Sequence, residues 1–258
     1  MRNIIFLILG TVVLGCSGTI NQVEEPVSFG NAWDSSYRAS DRYPSYLVNG
    51  DSSYLFIINN TEWAYFACEK PEAVLRKVQK LGANVIRVQL EGRPYFNSLG
   101  YDLWPWGGTR ENPDFTAFNE VYWDEVERRI RLAGYYGIGI DLVLYATMRP
   151  AVEDVGNQKQ YWDYIIKRLS KYSNILAWEI MNEYIANESF QDSAGTYFTR
   201  HDPYRHPVCS SDGTTEDALW PQKMWMGLSI VHTCTGQQEG YDLENWYLDI
   251  ARNTRQHG

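Results

Sequence analysis

The stretch Ile175–Tyr184 reads Ile-Leu-Ala-Trp-Glu-Ile-Met-Asn-Glu-Tyr. Its first seven residues are nearly all apolar, with no alternation of polar and apolar positions. A strand of that kind must be covered on both faces, which is the situation in a parallel sheet flanked by helices. The run then stops at Asn182-Glu183. An amide and a carboxylate directly after a buried strand belong at its carboxyl end, where α/β folds keep their chemistry. On those two residues alone, a loop glutamate without a special role is the simpler reading, so the remaining chain has to decide.

Similar signals recur along the sequence. Tyr46-Leu47-Val48 and Tyr54–Ile58 are joined by Asn49-Gly50-Asp51, a hairpin signal. Tyr54–Ile58 is expected to be the first core strand, with Asn59–Trp63 as the loop at its carboxyl end. A helix is predicted over Pro71–Leu81: proline in the first turn, Val74, Leu75, Val78 and Leu81 at helical spacing, and Gly82 as the stop. Asn84–Leu90 is the second strand. Glu91–Asn119 is expected to be one long loop carrying Tyr95, Phe96, Trp104 and Trp106, and loops of that length are usually functional. Val121–Tyr136 is a helix, Ile138–Leu144 the third strand, Lys159–Tyr172 a helix, and Ile175 opens the fourth strand. Ser193–Arg200 follows as a short helix, Pro207–Ser211 as a weak fifth strand, Met226–His232 as the sixth and Leu243–Arg255 as a final helix. Strand and helix in alternation, without internal repeat or linker, predict a parallel βα architecture. No Gly-x-Gly-x-x-Gly follows the first strand, which weighs against a dinucleotide fold. Long aromatic loops after strands favour a barrel.

At 258 residues the chain suits one α/β domain or one incomplete barrel. Its formal net charge of -9 argues against nucleic acid or an acidic surface as partner. Aromatic residues make up 15%, with 10 Trp and 19 Tyr, a composition that serves sugar stacking as well as core packing. Residues 1–15 read as a signal peptide: a short basic start, then the apolar Ile4–Leu14, too short for a comfortable membrane span. Val13-Leu14-Gly15-Cys16-Ser17 resembles a bacterial lipobox, which would make Cys16 the lipidated first residue of an exported lipoprotein. A plain secretory signal with an incidental cysteine is the alternative. Residues 16–45 then form a tether and amino-terminal segment, and 46–258 the barrel domain. The membrane is expected as a partner only through lipid on Cys16. Cys68, Cys209 and Cys234 allow at most one disulfide within the chain. No Cys-x-x-Cys or His-x-x-x-His spacing suggests a metal, and no cofactor is expected.

Gly82-Ala83-Asn84-Val85-Ile86-Arg87-Val88, Gly137–Leu142 and Trp178-Glu179-Ile180-Met181-Asn182-Glu183 together resemble the retaining (β/α)8-barrel glycoside hydrolases of clan A, of the cellulase/mannanase-like type. The resemblance runs from about Tyr46 to about Arg255. It implies Glu183 as general acid/base, Asn182 as the partner of a sugar 2-hydroxyl, Arg87 as the residue that steadies the nucleophile, and His232 as a substrate contact. Trp63, Trp104 and Trp106 would build sugar-stacking subsites, and Asp212, in an exposed Ser-Asp-Gly turn, would face the substrate. A retaining hydrolase places two carboxylates about 5–5.5 Å apart across the scissile bond. The amide contact to the 2-hydroxyl matters most in the oxocarbenium-like transition state.

The sequence departs from the family pattern in three places. Val143 stands where the family often has His, and His232-Thr233-Cys234 replaces His-x-Tyr. The family nucleophile follows strand seven, whereas Gly258 comes just after the sixth helix. The expectation is therefore an incomplete TIM barrel of about six βα units in a truncated sequence. Strands seven and eight and the nucleophile, roughly sixty to eighty residues, would lie beyond it. Glu62, Glu91, Asp141 and Asp212 could each reach the barrel mouth, where a substrate contact or a structural ion pair is the simpler role. The expected function is hydrolysis of a β-linked poly- or oligosaccharide at the cell surface or in the periplasm. The alternative is a carbohydrate-binding barrel lipoprotein without catalysis. An esterase ranks low, since no Gly-x-Ser-x-Gly elbow is present.

Overall fold

The computed structural model describes residues 25–43, 46–50, 53–90, 105–109, 111–145, 158–183, 188–212, 220 and 222–231. In chain order its elements are β1 (Arg38–Ala39), β2 (Leu47–Val48), β3 (Asn59–Thr61), α1 (Pro71–Lys80), β4 (Val85–Gln89), β5 (Trp106–Gly108), β6 (Pro113–Phe118), α2 (Glu120–Tyr135), β7 (Gly139–Tyr145), α3 (Gln158–Leu169), β8 (Ile175–Met181), α4 (Glu188–His201), β9 (Val208–Asp212) and β10 (Leu228–Val231). Among the described residues β3, β4, β7, β8, β9 and β10 form one parallel sheet whose order in space is their order along the chain. A sheet that always adds its next strand on the same side curls toward a barrel, whereas a doubly wound sheet reverses direction.

Both faces of the inner strands β4, β7 and β8 are covered. Ile86, Val88, Ile140, Leu142, Leu144, Trp178, Ile180 and Val208 belong to one core with the apolar stripes of the helices, including Leu75, Val126, Ile165 and Phe198. The alternate positions Arg87, Gln89, Asp141, Val143, Glu179, Cys209 and Ser211 are also buried, on the concave face. One irregularity sets this parity in β8. Ile140 and Asp141 face Ile175 and Ala177, so Leu176 is skipped in the register. That bulge turns Glu179 inward and Trp178 toward α4.

The amino ends of the strands are closed by the segment before β1. Val27 bridges Tyr172, Trp33 Nε1 donates to Gly137 O at 3.1 Å, and Ser173 Oγ donates to Trp33 O at 2.5 Å. Trp33 lies so close to Gly139 that a Cβ there would collide with its ring. Val27, Phe29, Trp33 and Tyr37, in the stretch expected as tether and amino-terminal segment, therefore pack at the base of the domain.

Three other expectations change. The first sheet strand is Asn59–Thr61, not Tyr54–Ile58. The Asn84 side chain accepts from Ile58 N at 2.8 Å and donates to Phe56 O at 2.7 Å. A side chain thus takes the backbone groups that a ladder would have used, and Phe56 is left 81% exposed. The expected loop of residues 91–119 contains the antiparallel pair β5–β6. α4 begins at Glu188, ahead of the expected Ser193. The final helix, Leu243–Arg255, lies outside the described residues.

Candidate active site

The concave face carries a cluster of buried charge, with Glu179 level with Val143, one step nearer the rim than Asp141. Arg87 on β4 is in register with Asp141 on β7, and Glu179 on β8 with Cys209 on β9. Arg87 Nε donates to Glu179 Oε2 at 2.6 Å, and Nη2 donates to Glu179 Oε1. Because β7 separates β4 from β8, this bond spans the concavity. Two charges removed from water are tolerated when they pair with each other and gain further hydrogen bonds. Nη2 accordingly also donates to Asn182 Oδ1 at 2.9 Å and Ser211 Oγ at 3.2 Å. The Trp63 ring centre lies 4.7 Å from the guanidinium carbon, a cation–π contact. Burial works against the Arg87 charge, yet the bonds and charge of Glu179 and the charge of Asp141 outweigh it and raise its pKa.

Asp141 moves the same way for a different reason. Burial first, and the Glu179 charge second, push its carboxyl well above the ordinary range. Arg87, 4.0 Å from Oδ2, and Asn59, donating to Oδ2 at 3.5 Å, pull weakly in the other direction. Its Oδ1 has no partner among the described residues.

Ser211 links this interior to the rim. Its hydroxyl donates to Glu179 Oε1 at 2.6 Å and accepts from Arg87 Nη2 at 3.2 Å and from Glu183 N at 3.1 Å. One proton and two lone pairs are all in use. At the end of β8, Asn182 N donates to Tyr145 O at 3.1 Å, extending the pairing with β7. Glu183 then adopts a φ of 50°, a left-handed conformation that a residue with a Cβ reaches only at a cost. The ladder ends there, and the Glu183 side chain is exposed at the carboxyl ends of the strands. Arg87 occupies the Asn182 carbonyl, so the amide's N–H donors are left for a ligand. The arrangement can move a proton at one substrate oxygen through Glu183 while Asn182 holds a neighbouring hydroxyl.

Of the residues singled out in the sequence, the structure brings Glu183, Asn182, Arg87 and Trp63 together. Trp106 is a correction. It is 1% exposed, with its ring centre 4.6 Å from Tyr161 and 5.3 Å from Phe118, because the β5–β6 pair folds it into the core. It is core, not a sugar platform. Asp212 is the last residue of β9, paired with Val231. Trp104, His232, Glu91 and Cys16 lie outside the described residues. Glu62 accepts from Asn60 Nδ2 at 2.7 Å and pairs with Lys77 at 3.4 Å, a structural ion pair. Cys68 and Cys209 are free thiols.

Sequence reasoning missed Glu179, Ser211 and Gln89. A charge in mid-strand, in Trp178-Glu179-Ile180 as in Ile86-Arg87-Val88, was the available signal, since opposite charges inside two buried strands have to find each other. Gln89 shares the inward parity of Arg87 one step nearer the rim, and its buried Oε1 has no partner among the described residues. Nothing in its local sequence distinguishes it. Among the described residues no group of three or more His, Cys, Asp or Glu is placed to hold a metal ion.

Comparison with solved structures places the chain among barrels of this kind. A protein of Bacteroides vulgatus ATCC 8482 named as a candidate glycoside hydrolase superposes with a TM-score of 0.66 at 18% identity, over 79% of this chain and 44% of the other. A family 5 glycoside hydrolase from the same organism gives 0.53 at 21% identity, over 70% of this chain and 40% of the other. A family 5 mannosidase from Rhizomucor miehei gives 0.50 at 14% identity, over 68% and 55%. These likenesses establish the (β/α)8 type of fold, and the chain spans about half the length of the structures it matches. No curated protein matches the sequence. The sequence does match the family described as Apiosidase-like, catalytic domain, over residues 42–256, nearly the whole of its length. On that match, the chain belongs to the Apiosidase-like catalytic domain family.

Proposed function

We infer that this domain hydrolyses glycosidic bonds, with Glu183 as the general acid/base. The observation that carries the reading is the turn at the end of β8. An exposed carboxylate sits on a strained residue whose backbone N–H is held by Ser211. Beside it stands an amide whose carbonyl is held by Arg87. A left-handed glutamate at the rim of a barrel supports a role for that side chain in chemistry there.

In the retaining mechanism Glu183 would protonate the departing glycosidic oxygen while a second carboxylate attacks the anomeric carbon. Glu183 would then deprotonate the water that releases the glycosyl-enzyme. Asn182 would hold the 2-hydroxyl as charge develops on the ring. Asp141, buried beneath the site, and Glu62, engaged with Lys77, are not placed as the second carboxylate, which we assign outside the described residues. Trp63 offers a face for a sugar ring. The family name directs the first substrate screen to β-linked apiose-containing glycans. Export as a lipoprotein anchored through Cys16, with the domain in the periplasm or at the cell surface, fits such substrates and is part of the proposal.

The experiment is product analysis with the full-length protein. Released sugar should appear first as the β-anomer by proton NMR, before mutarotation. Initial α-product would overturn the retaining assignment. Glycan binding by calorimetry without any released sugar would favour the non-catalytic carbohydrate-binding reading.

A further inference from the structure

A second polar constellation lies at the opposite end of the sheet from Glu183, between the amino-terminal segment and the connection from α4 to β9. Ser36 Oγ is 2.9 Å from His206 Nε2, and His206 Nδ1 is 2.7 Å from Asp202 Oδ2. Asp202 is fixed as an acceptor by Trp178 Nε1 at 2.8 Å, His206 N at 3.0 Å and Tyr204 N at 2.9 Å. Burial works against the charge of Asp202, yet its contact with His206 and these bonds outweigh it and hold the carboxyl below the usual range. In the neutral imidazole with its proton on Nδ1, facing Asp202, Nε2 is the acceptor of the Ser36 hydroxyl. That is the polarity of a hydrolytic serine: nucleophile, base and orienting carboxylate, recognised by geometry and not by sequence order. His206 and Asp202 are buried, while Ser36 is partly open to solvent. Arg205, next to the histidine, is held at a φ of 58°. Among the described residues the Ser36 backbone N–H has no hydrogen-bond acceptor.

We propose that Ser36, His206 and Asp202 form a second hydrolytic centre that acts on carboxylic esters. Ser36 Oγ attacks the ester carbonyl carbon as its proton passes to His206 Nε2. The imidazolium returns that proton to the departing alkoxide as the ester C–O bond breaks, leaving acyl-Ser36 and an alcohol. Water, deprotonated by the same nitrogen, then cleaves the acyl bond and releases the acid. This activity is independent of the glycosidase reading.

A fluorophosphonate probe tests it without any assumed substrate. The folded full chain should gain one adduct by intact mass, mapped to Ser36 by peptide sequencing, and hydrolyse p-nitrophenyl acetate. Ser36→Ala should abolish both. His206→Gln, which keeps a hydrogen bond but not the base, should slow labelling by about 10²–10⁴-fold. Circular dichroism would verify that both variants fold. No adduct under conditions that label a known serine hydrolase, or labelling of His206→Gln at the wild-type rate, would overturn the proposal and leave the three residues as a latch for the amino-terminal segment.

Discussion

Ser211 is the residue through which the buried ion pair touches the rim. Replacing it with alanine removes the acceptor of the Glu183 N–H and the donor to Glu179 in one step. A lost hydrogen bond to a constrained or charged partner costs about 1–3 kcal/mol, which is about a 5- to 150-fold change in rate when it acts on the transition state. The expected outcome for Ser211→Ala is a fall in kcat of that order with KM little changed, read by steady-state kinetics. Ser211→Thr, which keeps the hydroxyl, should recover most of it. An unchanged kcat would separate Ser211 from the catalytic turn.

Asp141 gives a residue-scale expectation for stability. Unfolded, its carboxyl titrates near 3.9, an ordinary value. Folded, burial and the Glu179 charge raise it. The folded chain therefore binds the extra proton, and Asp141's favourable contribution is complete below about pH 4. It is lost as pH rises through the folded pKa. Asp141→Asn removes that loss, so its urea midpoint should fall less from pH 4 upward than the wild-type midpoint does. Parallel profiles would contradict the shift.

At the scale of elements, the base of the domain depends on one tryptophan. Trp33 fills the space that Gly139 leaves open and bonds to the turns before β7 and β8. Trp33→Ala should destabilise by about 3–5 kcal/mol, the range for a fully buried large aromatic. Thermal and urea unfolding would measure it, and a loss under about 1 kcal/mol would mean that the segment is only laid against the sheet.

Several elements were legible because local signals and global demands agreed. β8 was readable from its apolar run, broken only by Glu179, α1 from Pro71 and its apolar spacing, and the end of α2 from Gly137, which sits at a φ of 70°. The Leu176 bulge was not readable, because a skipped residue in a strand buried on both faces leaves no change in pattern. Tyr54–Ile58 looked like a strand by composition, but the Asn84 side chain captured its backbone. Trp106 looked like a sugar platform because a long stretch without periodicity hid the β5–β6 pair. In the site, Asn182-Glu183 and Arg87 stood out by position and type. The role of Ser211 depends on strand register and could not be read from one strand at a time.

The whole molecule divides its work between two ends. At the amino ends of the strands short turns meet the packed segment around Trp33. At the carboxyl ends Glu183, Asn182 and Trp63 are tied to the Arg87–Glu179 pair through Ser211 and Arg87. Breaking that pair by Glu179→Ala would leave Arg87 buried without its partner, at a cost of about 3–5 kcal/mol. The fold therefore has to accommodate an interior charge in order to hold the rim.

In the proposed mechanism Glu183 delivers the proton to the leaving group. The direct measurement is kcat/KM of the full-length protein and its Glu183→Gln variant on two substrates with the same sugar. One carries an unactivated alcohol as leaving group and the other dinitrophenolate, which departs without a proton. The expected result is a loss of about 10²–10⁴-fold on the first and a far smaller loss on the second. Equal losses on both, or wild-type rates on both, would contradict the assignment.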